Sequence, residues 1–166
     1  MDLERLAGKK RNLTYRADII HLIRQFLRER CCLEINTPQI ASSPLPEAFI
    51  DLISTERGWL LPSPEVYMKP LIAAGFGDIF QICHAFRKGE RGKQHLEEFT
   101  MLEYYRVAKN YLELADETEK LISYIASSLC NSLTIKYQGE EIDLSSPWPR
   151  LTVSEAFTAC NGWDPL

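Results

Sequence analysis

Apolar side chains recur at helical spacing over residues 13–30, where Ile19, Ile20, Ile23, Phe26 and Leu27 form one stripe and Arg16, Asp18, Arg24, Arg28, Glu29 and Arg30 lie mostly opposite. This pattern predicts an amphipathic helix. A short strand follows over 33–35, and Pro38 ends it because proline has no N–H for a sheet ladder. Residues 49–54 and 58–61 predict a hairpin turning at 55–57. Ser63 is placed to cap a helix over 64–74 that has Pro64 in its first turn and stops at Gly75, with Pro70 weakening its second half.

The stretch DIFQICHAF, 78–86, is an apolar run that predicts a buried strand with Arg87 at its end. Residues 88–94 hold two Gly and four charges, a loop too long for a tight hairpin and able to move over a ligand. On the returning strand the period of two puts Phe99, Met101, Glu103 and Tyr105 on one face and Glu98, Thr100, Leu102 and Tyr104 on the other. Asn110 caps a helix to Cys130 with Leu112, Ala115, Leu121, Ile122 and Ile125 as its stripe. Segments 133–137 and 141–144, joined at Gln138 and Gly139, predict a hairpin, and Thr152 caps a last helix to Cys160. Antiparallel strands with helices between and after them give an α+β fold, with an antiparallel sheet flanked by helices.

Composition narrows the field. A chain of 166 residues with 45% apolar content builds one core and is a single domain by length. Its net charge of −4 argues against a general nucleic-acid binder, and the local cluster Arg87, Lys88, Arg91 and Lys93 suits a triphosphate better than a long polyanion. Cys31, Cys32, Cys83, Cys130 and Cys160 show no disulfide or metal spacing and read as reduced, buried thiols. Cys83 and His84 have no further ligands at usable spacing for a metal. No apolar run is long enough to span a bilayer and the amino end lacks a signal-peptide core, so a cytoplasmic location is expected. The face carrying Phe99, Glu103 and Tyr105 would stack a base and pair an ammonium, with Arg87 and His95 on phosphate oxygens. The plainer alternative is a solvated hairpin bearing surface ion pairs.

Arg87, a seven-residue spacer, His95 and then EEFTMLEYY resemble motif 2 of class II aminoacyl-tRNA synthetases, in its lysyl-tRNA synthetase form. LEINTPQI, with Pro38, resembles the end of motif 1, and LPSPEVYMKPLIAAGFGDIFQICHAFR resembles the segment leading into motif 2. The resemblance covers 12–106, with motif 1 at about 14–40 and motif 2 at about 80–106. Within the family the elongation factor P lysine ligases fit best. About a dozen residues precede the first predicted helix, leaving no room for an anticodon-binding barrel, and PWPRLTVSEAF also looks like that branch.

The resemblance implies a role for each matching residue. Arg87 would neutralise the ATP α-phosphate, His95 would lie near the outer phosphates and Phe99 would stack on adenine. Glu65 would hold the α-ammonium of lysine, and Glu103 with Tyr105 would read the side-chain ammonium. Glu65 at a helix start also suits the helix dipole, and Phe99 and Tyr105 also suit cross-strand packing. The family's adenine-reading Glu falls at Gly89, so either Glu90 takes over or the contact is lost. No G-x-G-x-x-R-like segment follows Arg106, so the chain is expected to be the amino-terminal part of a catalytic domain, stopping before motif 3 and the magnesium ligands.

Three functions are consistent with this. The first is ATP-dependent adenylation of lysine or beta-lysine and its ligation to a lysine of elongation factor P. The second is a lysyl-tRNA synthetase catalytic fragment with a tRNA partner. The third is a non-catalytic remnant that keeps a motif 1 homodimer surface and weak ATP binding. ATP is the implied substrate, and Mg2+ is expected with it.

Overall fold

The computed structural model describes residues 2–166 as a mixed, α+β arrangement of short sheets and helices. In chain order these are α1 (Leu3–Gly8), α2 (Lys10–Glu29), β1 (Leu33–Glu34), β2 (Ile40–Ala41), β3 (Ser54–Thr55), β4 (Gly58–Leu60), α3 (Glu65–Ala73), β5 (Ile79–Phe86), β6 (Glu98–Tyr105), α4 (Tyr111–Cys130), β7 (Thr134–Tyr137), β8 (Glu140–Asp143) and α5 (Val153–Asn161). They fall into two compact units, Ile20–Leu114 and the residues up to Ile19 with Ala115–Leu166.

The unit Ile20–Leu114 is built on β5, whose apolar run is buried at Ile79, Phe80, Gln81, Cys83 and Ala85. β6 pairs with it antiparallel over eight residues, from Ile79 opposite Tyr105 to Phe86 opposite Glu98. β1 lies parallel on the other edge, Leu33 opposite Ile79. Phe26, Leu27, Cys32, Ala41, Leu61 and Met68 are other buried apolar residues of this unit. Each Phe, Leu or Met side chain among them contributes about 1.5–3 kcal/mol by leaving water. Gln81, the one buried amide among the described residues, is satisfied at its oxygen by the Thr37 N–H at 3.1 Å and hydroxyl at 3.0 Å. Beyond the strand ends, Asp78 accepts from Arg106 Nη1 at 2.9 Å and from the Val107 N–H at 2.7 Å, so the start of β5 and the end of β6 are tied together.

A second small sheet runs β2–β4–β3. Gly58 is obligatory there: its φ is +141°, and a Cβ would lie 2.1 Å from the Ala41 carbonyl oxygen. Helix α2 ends in a Schellman closure, with Cys31 at φ 61° and the Cys32 N–H on the Leu27 carbonyl at 3.0 Å.

In the other unit, Gln138 and Gly139 both have positive φ, 51° and 92°, which closes the β7–β8 hairpin with a twist-matched turn. Arg150 bridges Asp116 at 2.7 Å and Glu119 at 3.0 Å, and α5 opens with a reciprocal Thr152–Glu155 capping box.

Several expectations need correction. The helix expected at 13–30 begins at Lys10 and is preceded by α1, because periodicity marks only buried faces and residues 2–18 are exposed. β1 stops at Glu34, before Pro38 is reached, and β2 forms two residues after the proline, at Ile40–Ala41. Of the strand expected at 49–54 only Ser54 remains, in β3, and Phe49 is fully exposed. α3 starts at Glu65 with Pro64 before it, and Ser63 Oγ accepts from the Glu65 N–H two residues on at 3.2 Å, a bond of the kind expected of a capping serine. Pro70 does not break α3, since the carbonyl it leaves free, on Val66, belongs to an exposed residue that water can reach. β8 starts at Glu140 and stops at Asp143. Only Cys32 and Cys83 are buried thiols; Cys31, Cys130 and Cys160 lie exposed at a helix end or on α5. Among the described residues no helix is long and apolar enough to cross a membrane.

Candidate active site

The β5–β6 hairpin positions the chemistry. Arg87 follows β5 on the face shared by Ala85, Phe99 and Glu103, and its guanidinium carbon stands 5.1 Å from the Phe99 ring centroid. Its backbone is fixed by the Glu97 carbonyl at 2.8 Å, and Lys88 by the Asp51 carbonyl at 2.9 Å. Arg87 Nε is buried and has no hydrogen-bond partner among the described residues. A buried guanidinium donor without a protein partner is suited to an anion. A hollow of about 220 Å³ opens beside it, lined by Arg87, Glu90, Gln94, His95, Leu96 and Phe99. Arg87, His95 and Phe99, which the resemblance assigns to ATP, thus line one hollow together with Glu90, the candidate replacement at the adenine position, 4.0 Å from Arg87.

Further along β6 the alternation puts Glu103 and Tyr105 side by side. Tyr105 donates to Glu103 Oε1 at 2.6 Å and Ser63 Oγ to Glu103 Oε2 at 2.6 Å. Burial and the Glu103 carboxylate push the Tyr105 phenol well above its ordinary value, so it stays protonated and donating. Glu103 therefore has both oxygens oriented by hydroxyls, and among the described residues no basic side chain forms an ion pair with it. Such a carboxylate is set to receive a cation.

Glu65 lines a neighbouring hollow of about 190 Å³ together with Leu45, Glu47, Ser63 and Lys69. Ser63 joins the two groups, accepting from the Glu65 N–H at 3.2 Å while it donates to Glu103. Lys69, one turn along α3, forms an ion pair with Glu65, and that contact raises its ammonium pKa. Glu103 and Tyr105 do not line this hollow and reach it through Ser63.

Sequence reasoning missed the linking role of Ser63, the Lys69 partner of Glu65 and the part played by Glu97. The i,i+4 spacing of Glu65 and Lys69 carried a signal for the second. Nothing local signals the first or the third. Among the described residues no group of three or more His, Cys, Asp or Glu side chains is placed to hold a metal ion.

The family model for tRNA synthetases class II (D, K and N) matches residues 1–165. The chain is 38% identical over 150 residues to a lysine-tRNA ligase of Magnetococcus marinus, covering 85% of this chain and 29% of that protein. It is 32% identical over 169 residues to a lysine-tRNA ligase of Methanoculleus marisnigri, covering 98% of the chain and 33% of the relative. An elongation factor P-(R)-beta-lysine ligase of Vibrio atlanticus is 39% identical over 132 residues, covering 74% of the chain and 41% of that ligase. The chain thus spans less than half the length of these curated relatives. With a matching family model over almost every residue and an Arg87–Glu103 hairpin of the expected register, the chain belongs to the class II tRNA synthetase family of the D, K and N type.

Proposed function

We propose that this chain is the ATP- and lysine-binding part of an ATP-dependent lysine ligase, with motif 1 at 14–40 and motif 2 at 80–106. The observation that carries the reading is one hairpin face bearing an orphaned arginine donor beside an aromatic ring at one end and an unpaired, hydroxyl-oriented carboxylate at the other. Arg87 takes the α-phosphate, His95 the outer phosphates and Phe99 the adenine ring, with Glu90 accepting from the base. Glu65 and Glu103 with Tyr105 take the two ammonium groups of lysine or beta-lysine, since a diamine needs an acceptor at each end. The chemistry is in-line attack of the amino-acid carboxylate on the α-phosphorus, breaking the bond to the bridging oxygen so that pyrophosphate leaves and the aminoacyl-adenylate forms, helped by positioning and charge neutralisation. Mg2+ carried by the nucleotide's own phosphates would add neutralising charge there.

The acceptor we favour is a lysine of elongation factor P, in a cytoplasmic setting, with a homodimer formed through α2. A relative that carries this activity in its name is consistent with this acceptor, as lysine-tRNA ligase relatives are with tRNA, and the net charge of −4 is what inclines the reading to a protein. Calorimetric titration of lysine and of norleucine, in the presence of a non-hydrolysable ATP analogue, tests the amino-acid site. Lysine should bind saturably, and norleucine, which lacks the side-chain ammonium, at least about a hundredfold more weakly because Glu103 is left unpaired. Equal affinities would remove Glu103 and Tyr105 from the site.

A further inference from the structure

The turn that follows Arg87 is tied down by one carboxylate. Glu97 Oε1 accepts from the Gly89 N–H at 2.7 Å, and Glu97 Oε2 accepts from Arg91 Nε at 2.8 Å. The carbonyl of the same residue accepts from the Arg87 N–H at 2.8 Å. Residue 97 therefore holds three points of the outgoing limb, 87, 89 and 91, against the start of β6. Within the limb, Arg91 N–H bonds the Gly89 carbonyl at 2.9 Å and Gly92 N–H bonds the His95 carbonyl at 3.2 Å. Gly89 adopts φ +76° with open space where a Cβ would be, so what the position requires is backbone conformation and not room.

The consequence is seen in where the acidic side chain points. With Gly89 in the left-handed region, Glu90 lines the hollow with Arg87, His95 and Phe99.

We propose that Glu97 is a positioning residue that, by fastening Gly89 and Arg91 to β6, holds the loop in the turn that presents Glu90 to an aminopurine nucleotide in this hollow. The claim rests on the nucleotide reading of that hollow. The Arg91 arm contributes little, because Arg91 is largely exposed and such pairs are weak in water. The carboxylate bond to the Gly89 N–H is the structural tie, and it also holds the Glu97 carboxyl below its ordinary range, with Arg91 adding to the effect.

Two measurements on the 166-residue chain test this. The first is hydrogen exchange of the Gly89 amide without nucleotide, in the unaltered chain and in Glu97→Ala. The second is the affinity of both for ATP and for inorganic triphosphate, with thermal unfolding as a check on the fold. The expected result is Gly89 exchange about tenfold faster in Glu97→Ala, ATP binding weaker by about three- to tenfold and triphosphate binding unchanged. Glu97→Gln, which keeps one acceptor oxygen, should fall between the two. Equal Gly89 exchange overturns the proposal, as does unchanged ATP affinity in a chain that binds ATP. So does parallel loss of ATP and triphosphate with a lowered unfolding temperature, which would make Glu97 merely structural. If the unaltered chain binds no ATP, the nucleotide reading falls, and Gly89 exchange alone decides whether Glu97 sets the loop.

Discussion

Arg87 and Lys88 are adjacent cations with different surroundings. Arg87 is half-buried, faces the Phe99 ring and has a buried Nε without a partner among the described residues, whereas Lys88 is exposed and held through its backbone N–H on the Asp51 carbonyl. Replacing Arg87 with Ala is predicted to lower ATP affinity by at least about tenfold, as removal of a charge-assisted phosphate contact does. Lys88→Ala should change it by less than about twofold, as expected of an exposed charge. Equal losses in a titration of both variants would withdraw the assignment of Arg87. At the other end of the strand, Tyr105 keeps its proton and orients Glu103. Tyr105→Phe leaves Glu103 with the Ser63 donor alone, and lysine affinity should fall by about three- to tenfold while ATP affinity stays.

Among the elements, the β5–β6 hairpin carries the candidate site, and the Phe86 N–H on the Leu61 carbonyl at 2.9 Å ties it to the segment after β4. The close contact of Gly58 with the Ala41 carbonyl joins β4 to β2, so Gly58→Ala should destabilise the fold by roughly 2–4 kcal/mol in urea unfolding. A loss under about 1 kcal/mol would mean that the two strands separate easily. The hairpin was legible in the sequence because an apolar run and a period of two determine which residues share a face. Arg87, Phe99, Glu103 and Tyr105 consequently fell where expected. The segment 42–53 was not legible, since its prolines and apolar side chains follow neither period and Phe49 is fully exposed. Nor was β2, hidden behind Pro38, or α1, which buries nothing and leaves no stripe. The ties made by Ser63 and Glu97 were out of reach because each depends on tertiary approach: Ser63 meets a partner 40 positions away, and Glu97 closes a loop whose turn is not encoded by periodicity.

Across the whole molecule, carboxylates are stabilised in the charged form by local hydrogen bonds. Glu97 is held below its ordinary 4.5 by the Gly89 N–H, Glu113 by Lys109, Glu119 by Ser146 and Glu155 by Thr152. Asp143 and Asp164 are held below their ordinary 3.8 by Ser145 and Ser154. A depressed folded pKa means that the unfolded chain takes up protons first as pH falls, so this stabilisation is complete above the ordinary values and is lost below them. The urea midpoint should hold level from about pH 7 to 5 and decline between about pH 5 and 3. A midpoint that rises on acidification would contradict the electrostatic account.

The proposal of a nucleotide site in this chain rests on family membership, the unpartnered donor of Arg87 and the hollow beside it. Isothermal titration of ATP with magnesium into the 166-residue chain and into Arg87→Ala is the most direct measurement. The account predicts saturable binding at one site in the unaltered chain and its loss in the variant. No saturable heat, or the same affinity in both proteins, would contradict it.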